Sequence, residues 1–112
     1  LKYSNLGIIT HTETGTNNIQ QGTAYCAQHL TPGTYIATAN FGMSSGTING
    51  YFGGSLSVGG KGLKNAYLYV SDTYAFLDMT ALFTITEDST IKVTPVRSFT
   101  KGKIMLDVMR IK

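Results

Sequence analysis

Few side chains in this sequence are of a type that does chemistry, and their spacing limits what they can do. His11 and His29 stand eighteen residues apart, and neither lies within a cluster of Cys, His and carboxylates. They read as surface histidines rather than metal ligands, so no metal site is expected. The single cysteine, Cys26, excludes an internal disulfide and a Cys-based zinc site, and its neighbours Tyr25, Ala27 and Leu30 make it a small core hydrophobe. Serine, histidine and aspartate all occur. The nucleophile elbow Gly-x-Ser-x-Gly does not, because Gly53-Gly54-Ser55-Leu56-Ser57 lacks the closing glycine. A glycoside hydrolase would need two acids converging across a cleft. Of Asp72, Asp78, Glu87, Asp88 and Asp107, the first and the Glu87–Asp88 pair fall in expected turns. Gly59-Gly60-Lys61-Gly62 has neither the spacing nor the following helix of a phosphate loop. No catalytic residue and no cofactor is expected, and the chain reads as a binder rather than an enzyme.

What remains is surface recognition. Tyr51, Tyr67, Tyr69 and Tyr74 each pair a flat apolar ring with a hydroxyl, which suits sugar or protein contacts. The same tyrosines would equally serve as the outer layer of a sandwich or as an oligomer seam. Polar and aromatic residues at predicted strand ends and loops supply the candidate ligand-binding set: His29, Asn49, Tyr51, Asp72 and Tyr74.

The elements that must position these residues are strands. The 112 residues are one domain's worth, 42% hydrophobic and 13% charged, with thirteen glycines and no Trp. That balance is the opposite of a disordered chain. No apolar run approaches the roughly 18 residues of a membrane helix, so no membrane insertion is expected. The chain starts at Leu1 without a signal-like segment, which leads to the expectation of a C-terminal piece of a longer protein with its stalk upstream. Charge is uneven: from residue 89 on, Lys92, Arg97, Lys101, Lys103, Arg110 and Lys112 face Asp107 alone. This basic end suits either an acidic surface partner or an edge strand protected by lysines. Aromatics cluster at 67–76, apart from the charges at 92–112, so nucleic-acid binding is not expected.

Almost every segment has period two. Leu6 to Thr10 is a first strand, His11 to Gln21 a polar loop, and Thr23 to Leu30 an extended stretch before the Pro32-Gly33 turn. The next strand puts Tyr35, Ala37, Ala39, Phe41 and Met43 on one face and Thr34, Ile36, Thr38 and Asn40 on the other. Thr47 to Val58 sets Ile48, Phe52, Leu56 and Val58 opposite Tyr51, and its glycines at 50, 53 and 54 predict a bulge or a close backbone approach. Ala66, Leu68 and Val70 alternate with Tyr67 and Tyr69, after which Ser71-Asp72-Thr73 turns the chain. Tyr74 to Ile85 has helix-favouring composition, but its ending and neighbours favour a strand. Thr90 to Val96 carries Pro95, which predicts an edge or a bulge. Lys103 to Lys112 is apolar on both faces. Seven to nine strands at this spacing predict an all-β antiparallel sandwich resembling a jelly roll. The doubly apolar strands at 74–85 and 103–112 need a second cover, most simply another copy of the chain.

Leu30-Thr31-Pro32-Gly33-Thr34-Tyr35, with the alternating strand to Phe41, is similar to a pattern in trimeric jelly rolls of the complement and tumour-necrosis-factor type and in tip domains of phage tail fibres. Asp88 to Val93 and Ile104 to Lys112 resemble the last two strands of that fold. The resemblance, spanning residues 20–112, implies the head domain of a bacteriophage receptor-binding protein. That would be a homotrimer on the virion, at the tail or baseplate tip, recognising saccharide on the bacterial cell surface. The alternative is a structural trimerisation or capping domain of a fibre or spike, without a ligand of its own.

Overall fold

The computed structural model describes residues 6–45, 48–72 and 74–112. Nine strands run through them: β1 (Ile9–Glu13), β2 (Asn17–Ile19), β3 (Tyr25–Leu30), β4 (Gly33–Ser45), β5 (Ile48–Val58), β6 (Lys61–Asp72), β7 (Ala75–Ile85), β8 (Ser89–Pro95) and β9 (Phe99–Arg110). One sheet has the order β1-β9-β4-β7, with β2 also paired to β9; the other has the order β3-β8-β5-β6. Every pairing of these strands is antiparallel. This is the strand order of a jelly-roll sandwich, in which all connections but the β1–β2 step and the tight β5–β6 hairpin at Gly59-Gly60 cross between the sheets.

The core forms where one face of each strand is continuously apolar. Tyr35, Ala37, Ala39, Phe41 and Met43 of β4 are all buried, the face that their alternation predicts. Opposite them lie Phe52, Leu56 and Val58 of β5 and Ile91 and Val93 of β8, while Ile104, Leu106 and Val108 flank β4 from β9. Phe41 meets Phe52 edge-on between the sheets at 6.3 Å, and Phe52 meets Phe99 at 5.2 Å. Each buried phenylalanine of this kind contributes about 1.5–3 kcal/mol over an exposed one.

The two open sides of the sandwich are tied differently. On the β1/β3 side the buried amide of Gln28 donates to the carbonyls of Thr10 (3.1 Å) and Leu106 (3.3 Å) and to the Thr12 hydroxyl (3.1 Å). On the β6/β7 side Lys64 Nζ donates to the Thr80 carbonyl at 3.0 Å. The glycine-rich stretch of β5 is a place of close backbone approach. At Gly53 the backbone has φ 126°, and a Cβ there would collide with the Ala66 carbonyl oxygen of the paired strand.

Several sequence expectations are corrected. The first strand begins at Ile9 rather than Leu6, and the stretch read as a polar loop from His11 to Gln21 holds the end of β1 and all of β2. Ile19 within it is a core residue, buried beside β9. Cys26 is only half-buried: it sits at the irregularity in the β3–β8 register with φ 58°, its thiol donating to the Ile104 carbonyl at 3.3 Å. Burial raises its pKa above the ordinary thiol range. Asp72 ends β6 instead of lying in a turn. The basic strands are not edges, since β8 lies between β3 and β5, and β9 between β1 and β4. Pro95 is tolerated in an interior strand because it is the last residue of β8, where the ladder to Gly54 ends.

Candidate functional site

The outer face of the second sheet carries a compact aromatic platform built by the β5–β6 ladder. Inward residues of β5 fill the core, so Asn49 and Tyr51 face outward, with Ser55 half-buried further along the strand. Register sets Tyr51 opposite Tyr69, Asn49 opposite Ser71 and Gly53 opposite Tyr67. The Tyr51 ring meets Tyr69 at 5.5 Å and 87°, and Tyr67 at 6.5 Å and 60°, both edge-to-face. The three rings remain 51–62% exposed although they support one another. Tyr69 Oη donates to Asn49 Oδ1 at 3.3 Å, which orients the amide at the platform's end.

Behind the platform, Arg97 lies over Gly50, where a side chain would clash with its guanidinium. Its Nε donates to the Tyr51 carbonyl at 3.1 Å, so a cation from the β8–β9 connection fixes the backbone that holds the central ring. Beside Tyr67 a hollow of about 260 Å³ is lined by Gln21, Ser55 and Thr94 together with Gly22, Gly54 and Pro95. Exposed rings flanked by an amide, hydroxyls and a hollow can stack on the apolar face of a sugar and hydrogen-bond its hydroxyls.

Of the five residues singled out in the sequence, Asn49 and Tyr51 belong to this platform. Asp72 ends β6 at the same end of the sheet, opposite Ile48, and its side chain lies outside the described residues. Tyr74, 63% exposed, follows just before β7. His29 is elsewhere. It pairs with Thr90, level with the far end of β5, about 25 Å along the strands from Tyr51. There it stands 3.6 Å from Asp88 and borders a cavity of about 440 Å³ at the open β1/β3 side. That cavity is the larger, but its inner polar groups are already engaged: Gln28 by three acceptors, and the Tyr35 hydroxyl by the Thr31 carbonyl at 2.6 Å. The platform's hydroxyls and amide face solvent and make the better recognition surface.

Tyr67, Tyr69 and Arg97 complete the platform without having been placed in the candidate set. The two tyrosines were findable from their period-two spacing opposite Val70 and Leu68. Arg97, 46 residues from Tyr51, carries no local signal.

His11 is more than a plain loop histidine. Its Nδ1 meets Asp107 at 2.6 Å and its Nε2 meets Glu13 at 3.1 Å, with Lys103 3.1 Å from the other Glu13 oxygen. Hydrogen bonds to Asp107 and then Glu13 raise its pKa above the ordinary 6.5. Bonds from His11 and Lys103 lower that of Glu13 below 4.5. Among the described residues no group of three or more His, Cys, Asp or Glu is arranged to hold a metal ion.

No protein-family model matches the chain, and no curated protein matches it. Solved structures do. The fold is similar to the C-terminal domain of EclA, a sugar-binding protein, with TM-score 0.57 and 14% identity over 91% of this chain and 79% of that one. It is similar also to the CBM36-1 domain of a multidomain xylanase from the hindgut metagenome of Trinervitermes trinervoides, with TM-score 0.55 and 16% identity over 94% of this chain and 99% of that one. At these identities the likeness is one of fold alone.

Proposed function

We propose that this chain is a saccharide-binding module, not an enzyme, and that it holds its ligand on the Tyr51–Tyr67–Tyr69 platform. The observation that carries the reading is three exposed, mutually braced tyrosine rings beside Asn49 and a hollow lined by hydroxyls and an amide. Rings held in this way lose little freedom on binding, so their contact area translates efficiently into affinity. The names of the two similar structures, a sugar-binding protein and a CBM domain, point the same way.

The narrower reading is that the saccharide lies on a bacterial cell surface and the chain is the head of a phage tail or baseplate protein, acting outside the host. Its support is the sequence resemblance at residues 30–41, 88–93 and 104–112 to tail-fibre tip domains. A panel of immobilised bacterial and plant polysaccharides, probed with the chain and with Tyr51→Ala, tests both levels. Retention on at least one polysaccharide, lost in the variant, is the expected result. Retention that Tyr51→Ala leaves unchanged would move the site off the platform. Binding confined to plant polymers would overturn the cell-surface reading alone.

A further inference from the structure

We propose that the outer face of the first sheet is covered by a second copy of this chain. The register of β1, β9, β4 and β7 aligns Ile9, Met109, Ile36 and Leu82 as one unbroken row across all four strands. Ile9 is 61% and Leu82 68% exposed at its two ends, with Ile36 and Met109 half-buried between them. Phe76, 72% exposed, stands three rows further along beside the bare position of Gly42, over a hollow of about 260 Å³.

The chemistry of this face differs from that of the tyrosine platform. Its apolar groups are aliphatic or phenyl, with no hydroxyl to meet a sugar, and they match protein side chains instead. The polar groups between them are already paired within the face: His11 with Asp107 and Glu13, Glu13 with Lys103, Thr38 with Thr80, and Asn40 with Asp78. A covering layer therefore meets His11, Glu13, Lys103 and Asp107 already joined to one another, while Asp78 is held by the neutral Asn40 amide.

A copy of the same chain also fits the row by symmetry. A two-fold axis running along the strands between β9 and β4 lays Ile9 of one copy over Leu82 of the other, and Met109 over Ile36. Four strands about 4.8 Å apart, β1 of 5 residues, β9 of 12, β4 of 13 and β7 of 11, present about 600 Å² per copy, near 1,200 Å² for the pair, which reaches the range of stable interfaces. The sequence expectation of an oligomer thus gains a particular surface. It is narrower than two doubly apolar strands implied, because Asp78, Thr80 and Thr84 of β7 and Lys103 and Asp107 of β9 also face outward.

Sedimentation velocity on the 112-residue chain at micromolar concentration tests this. The wild type is expected at twice its 12.1 kDa mass, and a trimer would contradict the two-fold arrangement. Leu82→Asp and Ile9→Asp, both at exposed positions, are each expected to sediment as monomers with an unchanged far-UV spectrum and a cooperative melt. Tyr51→Ala is expected to keep the wild-type mass. A monomeric wild type, or an oligomer that persists in both folded aspartate variants, would overturn the proposal.

Discussion

The Tyr51 ring stands edge-on to the Tyr69 ring across the β5–β6 ladder, centroids 5.5 Å apart and planes at 87°. Truncating Tyr51 removes the central member of the platform but no core contact, because the side chain points outward. Tyr51→Ala is therefore expected to weaken saccharide binding about tenfold or more, the effect of losing an aromatic anchor worth at least ~1.4 kcal/mol. The melting temperature should move little, since an exposed aromatic pair contributes only about 0.5–1.5 kcal/mol. Titration calorimetry and a thermal melt on the same samples read both. Tyr69→Phe keeps the ring and deletes the bond to Asn49, so it separates stacking from orientation of the amide.

Gln28 is a polar residue in a core position, and its three acceptors lie on β1 and β9 of the opposite sheet. Gln28→Leu is close in size but leaves the Thr10 and Leu106 carbonyls without this donor at the β1/β3 side. A loss of about 1–3 kcal/mol in urea unfolding is expected, with no change in saccharide affinity at the distant platform. An unchanged midpoint would show that the amide is replaceable by water there.

The cluster around His11 predicts a pH dependence with a definite sign. The His11 pKa is raised in the folded chain, so its contribution is fully present below the ordinary 6.5 and fades as pH rises through the folded value. The Glu13 pKa is lowered, so its contribution is fully present above 4.5 and fades as pH falls through its folded value. The two together favour the fold most between those limits. All these side chains are exposed, so the effect is small and screened by salt. In an NMR titration the His11 ring should titrate above 6.5. Asp107→Asn should bring it back toward that value, because Asp107 is the leading cause of the rise.

How much of this was legible in the sequence depended on whether a residue obeyed its strand's period. Tyr35 to Met43 alternate without exception, so the inner face of β4 could be read directly. Ile19 could not, because a lone apolar residue between Asn18 and Gln20 has no period to reveal it, and only pairing with β9 buries it. Gln28 hid for the opposite reason: composition places glutamine outside, whereas the open β1/β3 side needs a donor inside. Pro95 suggested an edge because local chemistry marks the end of a ladder without telling which strands stand on either side. Tyr51 and Asn49 were visible as chemistry-bearing residues. Tyr67 and Tyr69 share a face by their own period, but that they meet Tyr51, and that Arg97 braces it, depends on long-range register, which one strand's sequence does not contain.

Gly53 joins the fold to the candidate site, and its substitution gives a prediction that touches both. It lies opposite Tyr67, its φ of 126° is one that side chains rarely adopt, and an added Cβ would strike the Ala66 carbonyl and come within 2.6 Å of Leu77. Backbone strain of this kind costs about 1–3 kcal/mol before any collision is relieved. Relief requires β5 and β6 to separate at the point where Tyr51 leans on Tyr67. Gly53→Ala is therefore expected to lower stability by at least ~2 kcal/mol, and in whatever fraction folds, to weaken saccharide binding as well. Gly60→Ala supplies the comparison: it also sits at positive φ, 81°, but nothing lies near its Cβ, and it is far from the rings. It should lose some stability and keep full affinity. Equal affinity in both variants would show that the platform does not depend on the close approach at Gly53.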